Sequence, residues 1–297
     1  MSTPFTHTVD GTGAAAGFTF TGRTNIGDDL PPRSSDPLIV ALHGGTYSSE
    51  YFDIPDHSLL DNATKQGIAV IAIDRPNYLG SSPLTSDGSI IADNATVLGD
   101  AIGSIWSAHA GEAAGIVLVA HSIGGAIATI IAATPQSWPL LGLATSGCLV
   151  RVPQESAGAW AALPDIPMID LPVPLKDQLM FGPPETYDAK MPAASYPSNT
   201  LVPKAELLDI TGAWIERRAE TCAAVSVPVH HRQAEFDHLW ITDRGEVDEY
   251  RAGFTSAPSI DAQLQPGSGH CIDFHLPSDE FQGSQLAFAR ACATSKA

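Results

Sequence analysis

Apolar residues fall along this chain in short, dense bursts. "LIVALHGG" (38–45), "IAVIAIDRP" (68–76), "GIVLVAHS" (115–122) and "LLGLATSG" (140–147) crowd aliphatic side chains with no polar residue at every second position. A strand with one wet face alternates; a continuous apolar strand belongs in a parallel sheet covered on both faces. "VPVHHRQAEFD" (227–237) and "SIDAQLQPGSGH" (259–270) read as two later strands. "FTHTV" and "AGFTFTGRT" read as β at the start, with the glycine-rich "GTGAAAG" (11–17) as the turn between them and "DDLPPRSSDP" as a loop. Helical spacing fills the gaps. It is found in "SEYFDIPDHSLLDNATKQ", interrupted by Pro55, in "SIIADNATVLGDAIGSIWSAHA", in "IGGAIATIIAAT", in "KAELLDITGAWIERRAETCAA" and in "SDEFQGSQLAFARACA". Strand and helix in alternation predict βαβ units and a doubly wound α/β sheet.

Residues 150–204 break this rhythm. They carry ten of the 23 prolines, interleaved with Trp160, Leu163, Met168, Leu171, Met180, Phe181 and Tyr187. Proline shortens helices, and so much apolar surface does not suit a solvated linker. The stretch is expected to pack over the sheet as an insertion of short helices, dividing the core into residues 1–149 and 205–297.

Composition narrows the function. The 297 residues carry a formal net charge of −18, which disfavours nucleic acid and anionic membrane surfaces as partners. No apolar run is long enough to span a bilayer, and the first residues lack a basic and apolar leader, so a cytoplasmic protein is expected. Cys148, Cys222, Cys271 and Cys292 form no C-x-x-C pair, so reduced thiols are the default, with a Cys271–Cys292 bridge left open. His230 and His231 are consecutive on a strand and point to opposite faces, and the nearby acids make no ligand set, so no metal is expected. "GTGAAAG" lacks the continuation of a phosphate or dinucleotide loop, and no cofactor is expected.

The candidate chemistry centres on "AHSIGG" (120–125). A serine between an apolar strand and a helix of small residues matches the nucleophile elbow G-x-S-x-G, with Ala120 for the first glycine. An N-cap serine on a buried helix is the competing reading. A nucleophilic serine needs a base and an acid to orient that base. His270, in "PGSGHCIDFH", and Asp237, beyond the strand 227–237, stand in the order Ser122, Asp237, His270, with Glu235 as the alternative acid. The N–H groups of Gly45 and Ile123 are the candidate oxyanion donors, with Thr46 as an alternative to Gly45.

With these residues in hand, the chain resembles the α/β-hydrolase superfamily. "LHGG" (42–45), "DRPNYLGSS" (74–82), "AHSIGG" (120–125) and "GSGHCIDF" (267–274) occur in that superfamily's order, over all of the chain except 150–204. The resemblance implies an α/β-hydrolase fold with that insertion as its cap. It implies a serine esterase acting on a small hydrophobic carboxylic ester or lactone through an acyl-enzyme on Ser122. Acyltransferase, thioesterase and hydroxynitrile-lyase chemistry share these motifs, as does a non-catalytic ligand binder that kept the fold. The resemblance assigns His43 to support of the oxyanion loop. Thr46, His121, Trp160, Met180 and Phe181 are expected to line the pocket, and His275 to stand behind His270 or merely to begin a helix. A monomer or homodimer is expected.

Overall fold

In the computed structural model, which describes residues 2–27 and 30–295, eight strands form one sheet. They are β1 (Thr3–Thr8), β2 (Thr19–Thr24), β3 (Leu38–Leu42), β4 (Ala69–Ile73), β5 (Ile116–His121), β6 (Leu140–Ser146), β9 (Val229–Phe236) and β10 (Ile260–Gly269). The spatial order is β1-β2-β4-β3-β5-β6-β9-β10. Pairing is parallel from β4 through β10 and antiparallel where β1 meets β2 and β2 meets β4. Asp28 and Asp29 of the expected "DDLPPRSSDP" loop lie outside the described residues.

The apolar runs are explained by burial on both faces. Every residue of β3, β4 and β5 is buried. Leu38, Val40 and Leu42 of β3 join one hydrophobic cluster, and Ile39 and Ala41 join the other. The first cluster is completed by α2 (Ile90–His109), α3 (Ile123–Ala133), α8 (Ala213–Ala224) and α9 (Arg244–Gly253), the second by α1 (Leu59–Gln66) and α10 (Ser278–Thr294). This is the doubly wound α/β arrangement the sequence predicts.

Helix limits follow local chemistry. Ser58 and Ser89 cap α1 and α2 by accepting from Asp61 N and Ala92 N, and α1 ends at Gly67 in a left-handed conformation. The stretch "SEYFDIPDHSLLDNATKQ" is divided as Pro55 demands, into a 3-10 turn at Ser49–Asp53 and α1. "KAELLDITGAWIERRAETCAA" is two helices, α7 (Lys204–Ile210) and α8, separated at Thr211–Gly212. Gly212 has no side chain with which to carry the apolar stripe across that point.

Between β6 and β9, short elements cross the C-terminal edge of the sheet. They are α4 (Gln154–Ala161), β7 (Met168–Ile169), α5 (Val173–Met180), α6 (Met191–Ser195), β8 (Val202–Pro203) and then α7. The helices here have eight residues or fewer, as the proline spacing predicts. β7 and β8 pair antiparallel as a separate two-stranded ribbon.

Candidate active site

Ser122 occupies the turn between β5 and α3 with φ 55° and ψ −124°, a conformation that costs a non-glycine residue about 1–3 kcal/mol. The surroundings enforce it. Ser122 N–H donates to Ser146 O at 2.8 Å, extending the β5–β6 pairing through the turn, and Ser122 O accepts from Gly125 N and Ala126 N. A Cβ on Gly124 would intrude on the carbonyl oxygens of Leu42 and His43, and one on Gly44 would meet the Ser122 Cβ at 2.9 Å. Glycine at 44 and 124 is therefore a packing requirement of the elbow. The Ser122 side chain makes no capping bond to α3. Its hydroxyl lies 3.0 Å from His270 Nε2 instead, so the N-cap reading does not describe it.

The chain of contacts continues inward. His270 Nδ1 is 2.7 Å from Asp237 Oδ2. Asp237 also accepts from Gln233 Nε2 at 2.7 Å and from Leu239 N at 2.8 Å. All three of Ser122, His270 and Asp237 are buried. The alternative acid, Glu235, is exposed and accepts from Gly267 N at 2.9 Å, away from His270. β9 ends at Phe236, so Asp237 lies just past the strand, where its carboxylate accepts from Leu239 N and meets His270 instead of following Glu235 to the surface.

His275 holds the loop that carries His270. Its Nε2 accepts from Gly269 N and Gly182 N, both at 3.0 Å, and its Nδ1 donates to Cys271 O at 2.8 Å. Burial lowers its pKa to about 4, which keeps the acceptor nitrogen unprotonated. His43 Nδ1 donates to Gly44 O at 2.7 Å and is held neutral by burial and by the neighbouring Arg75 charge.

A narrow, mostly apolar cavity of about 40 Å³ opens above Ser122. Gly45, Thr46, Ile123, Trp160 and Met180 line it, as does Ser122 itself. The first N–H of a helix has no partner within that helix, and neither Gly45 N nor Ile123 N donates to an acceptor among the described residues. His121 and Phe181, expected in the pocket, are not in its wall. His121 lies behind the serine, stacked on Tyr51 at 4.8 Å with Nδ1 3.1 Å from Ser146 Oγ. Phe181 ends α5 and packs on Tyr187 and Phe274. Val152, Leu171, Leu207, Ile210, Leu239 and Trp240 complete the wall with Thr211. No motif marks these residues in the sequence; they are ordinary apolar positions until the fold gathers them.

Among the described residues no group of three or more His, Cys, Asp or Glu could hold a metal ion, and no helix is long and apolar enough to cross a membrane. The four cysteines are free and buried, so no Cys271–Cys292 bridge is present.

A model of the alpha/beta hydrolase family matches residues 39–281. The chain belongs to that family. No curated protein sequence matches it significantly. Among solved structures, this hydrolase is similar to a thermophilic esterase from Thermogutta terrifontis (malate bound), with 14% identity, TM-score 0.63, and 92% of this chain and 95% of that one covered. It is similar to a monoacylglycerol lipase from Paleococcus ferrophilus, with 16% identity, TM-score 0.63, and coverage of 89% and 97%. E-2-(Acetamidomethylene)succinate hydrolase has 16% identity, TM-score 0.64, and coverage of 91% and 95%. At such identities the likeness is one of fold.

Proposed function

We propose that the protein is a serine carboxylic-ester hydrolase acting on small, apolar esters or lactones. The observation that carries this reading is the continuous hydrogen-bonded line from Ser122 through His270 to Asp237, beneath an apolar cavity. Ser122 Oγ attacks the carbonyl carbon while His270 Nε2 takes its proton. Asp237 holds the proton on Nδ1 and stabilises the imidazolium that forms. The N–H groups of Gly45 and Ile123 receive the oxyanion at the start of α3, where the helix dipole favours negative charge. His270 then protonates the leaving alcohol, and the acyl-enzyme is cleaved by a water that His270 deprotonates. Residues 150–204 serve as a cap over a core of 1–149 and 205–297, and with α7 they set the size of the acyl or alcohol group admitted. The ester and lipase chemistry named for the structural relatives favours the same reaction class.

The test is intact mass after treatment with a fluorophosphonate, on wild type and Ser122→Ala, followed by p-nitrophenyl esters of graded length. One adduct on wild type, none on the variant, and turnover favouring short acyl groups are expected. A folded wild type that takes no adduct and cleaves no ester removes the proposal and leaves the ligand-binding reading. Acylated alcohol as the main product, when an alcohol competes with water, replaces hydrolysis by acyl transfer.

A further inference from the structure

Arg75, in "DRPNYLGSS", is fully buried and touches neither the cavity nor the triad. Its guanidinium pairs with Glu206 of α7 as a fork, Nη1 to Oε1 at 2.7 Å and Nη2 to Oε2 at 2.9 Å, and Glu206 is also fully buried. Tyr78 adds a hydroxyl bond to Glu206 Oε2 at 2.7 Å. Arg75 also reaches the oxyanion loop, and its Nη2 lies 3.1 Å from the Tyr78 hydroxyl as well. Nε donates to His43 O at 2.9 Å and Nη2 to Gly44 O at 3.1 Å, while the Arg75 backbone N–H donates to His43 Nε2 at 3.1 Å. That last bond places the imidazole proton of His43 on Nδ1, from which it reaches Gly44 O.

Gly44 O therefore accepts from two donors, one of them cationic. The Gly44–Gly45 peptide is trans, so its N–H points opposite to its C=O. Fixing the carbonyl on Arg75 and His43 fixes the Gly45 N–H on the far side, toward the cavity that Gly45 lines with Ser122. Donors on a carbonyl also polarise the N–H of the same peptide. A buried ion pair replaced by apolar residues often costs a protein nothing, so stability alone does not account for this one.

We propose that Arg75 and Glu206 are positioning residues that orient and polarise the Gly45 N–H for the oxyanion and tie that donor to α7. Leu207 and Ile210 of α7 wall the pocket, so the element that senses the substrate's bulk is linked by one ion pair to the group that receives its charge. The catalytic part of this inference rests on the esterase reading.

The test uses the fact that the chain has two Gly–Gly peptides, 44–45 and 124–125. Protein labelled with carbonyl carbon-13 glycine and nitrogen-15 glycine gives one amide signal for each. Arg75→Lys keeps the charge and loses the fork. Its expected result is a displaced Gly44–Gly45 signal with Gly124–Gly125 unmoved. With it come a kcat about 100-fold lower at a KM within about threefold, and an equal loss of affinity for phenylboronic acid, a mimic of the tetrahedral anion. A folded Arg75→Lys with wild-type kcat overturns the proposal, as does a kcat loss with the Gly44–Gly45 signal and boronate affinity unchanged. If Arg75→Lys does not fold, Glu206→Gln is read in the same way, with a displaced signal and about a tenfold loss expected and an unmoved signal overturning the inference. Fluorophosphonate labelling of wild type separates the two readings. An unlabelled, inert wild type rejects the esterase, and the Gly44–Gly45 signal still decides whether Arg75 orients that peptide.

Discussion

The elbow around Ser122 and the segment that covers it are built on opposite terms. At the elbow, backbone meets backbone: Gly124 lies against Leu42 and His43, Ser122 N–H against Ser146 O, and the serine is held in a strained conformation by neighbours that leave it no alternative. The cover is made of short helices joined to the core by backbone bonds, such as Ser48 N to Ser198 O, Thr200 N to Thr46 O and Cys271 N to Met180 O, and by side-chain ties. One is Lys176, which donates to Thr46 O at 2.5 Å and sits 3.5 Å from the centre of the Tyr47 ring, with its pKa brought down by burial to about 7. Another is Glu206 on Arg75. Gly158, in the middle of α4, has nothing within 4 Å of where a Cβ would stand. Reaction chemistry demands fixed geometry and tolerates little sequence change; selection by size needs only apolar volume, which many sequences can fill.

Substitutions on either side of that divide will sharpen or break the contrast. The largest effect is expected from Ser122→Ala, a fall of about 10⁴-fold or more in kcat with folding intact, measured by ester turnover and far-UV circular dichroism. Gly124→Ala forces a methyl group against two carbonyl oxygens, and a loss of several kcal/mol, on the order of 3, is expected in urea unfolding. A stability within about 0.5 kcal/mol of wild type would mean the elbow is softer than its packing implies.

Acid should attack the buried histidines. His43 and His121 are held well below the usual value by burial, His230 and His275 at about 4, and His231 at about 3. The unfolded chain binds these protons near pH 6.5 while the folded chain refuses them. Their contribution to stability is therefore whole above pH 6.5 and is lost as pH falls from there toward 4. Each group adds up to about 1.4 kcal/mol per pH unit to the slope. Urea midpoints taken across that window should drop steeply, and a flat profile would mean that water reaches these rings.

Smaller changes belong to the cover. Trp160→Ala enlarges the cavity wall, and kcat/KM for p-nitrophenyl hexanoate relative to acetate should rise about tenfold. An unchanged ratio would show that the acyl chain does not run along Trp160. Gly158→Ala should stabilise α4 by about 0.5–1 kcal/mol without altering turnover.

What could be read from the sequence divides along the same line. Ser122, Asp237 and His270 carry motif and order, because strained turns restrict which residues can surround them, and the structure brings the three together. The buried strands were visible as unbroken apolar runs. The pocket was only half visible. Trp160 and Met180 lie in it, while Phe181, a neighbour in sequence, points into the packing of Phe274 and Tyr187. Short helices between prolines have no long period from which to infer an inward face. Nor did any signal join Arg75 to Glu206, 131 positions apart in the chain. Gly212 marks the break between α7 and α8, but the apolar spacing on either side of it reads as one longer helix.

The hydroxyl of Ser122 and the imidazole that faces it are 148 positions apart in the chain, and Asp237 is supplied by yet another strand end. Such a line cannot exist in a half-folded molecule, because loop closure over that distance is repaid only once the parallel strands between have docked. On the esterase reading proposed above, the reactivity of Ser122 should therefore appear during refolding only after helix and sheet have recovered, and its covalent labelling would time the last step of assembly.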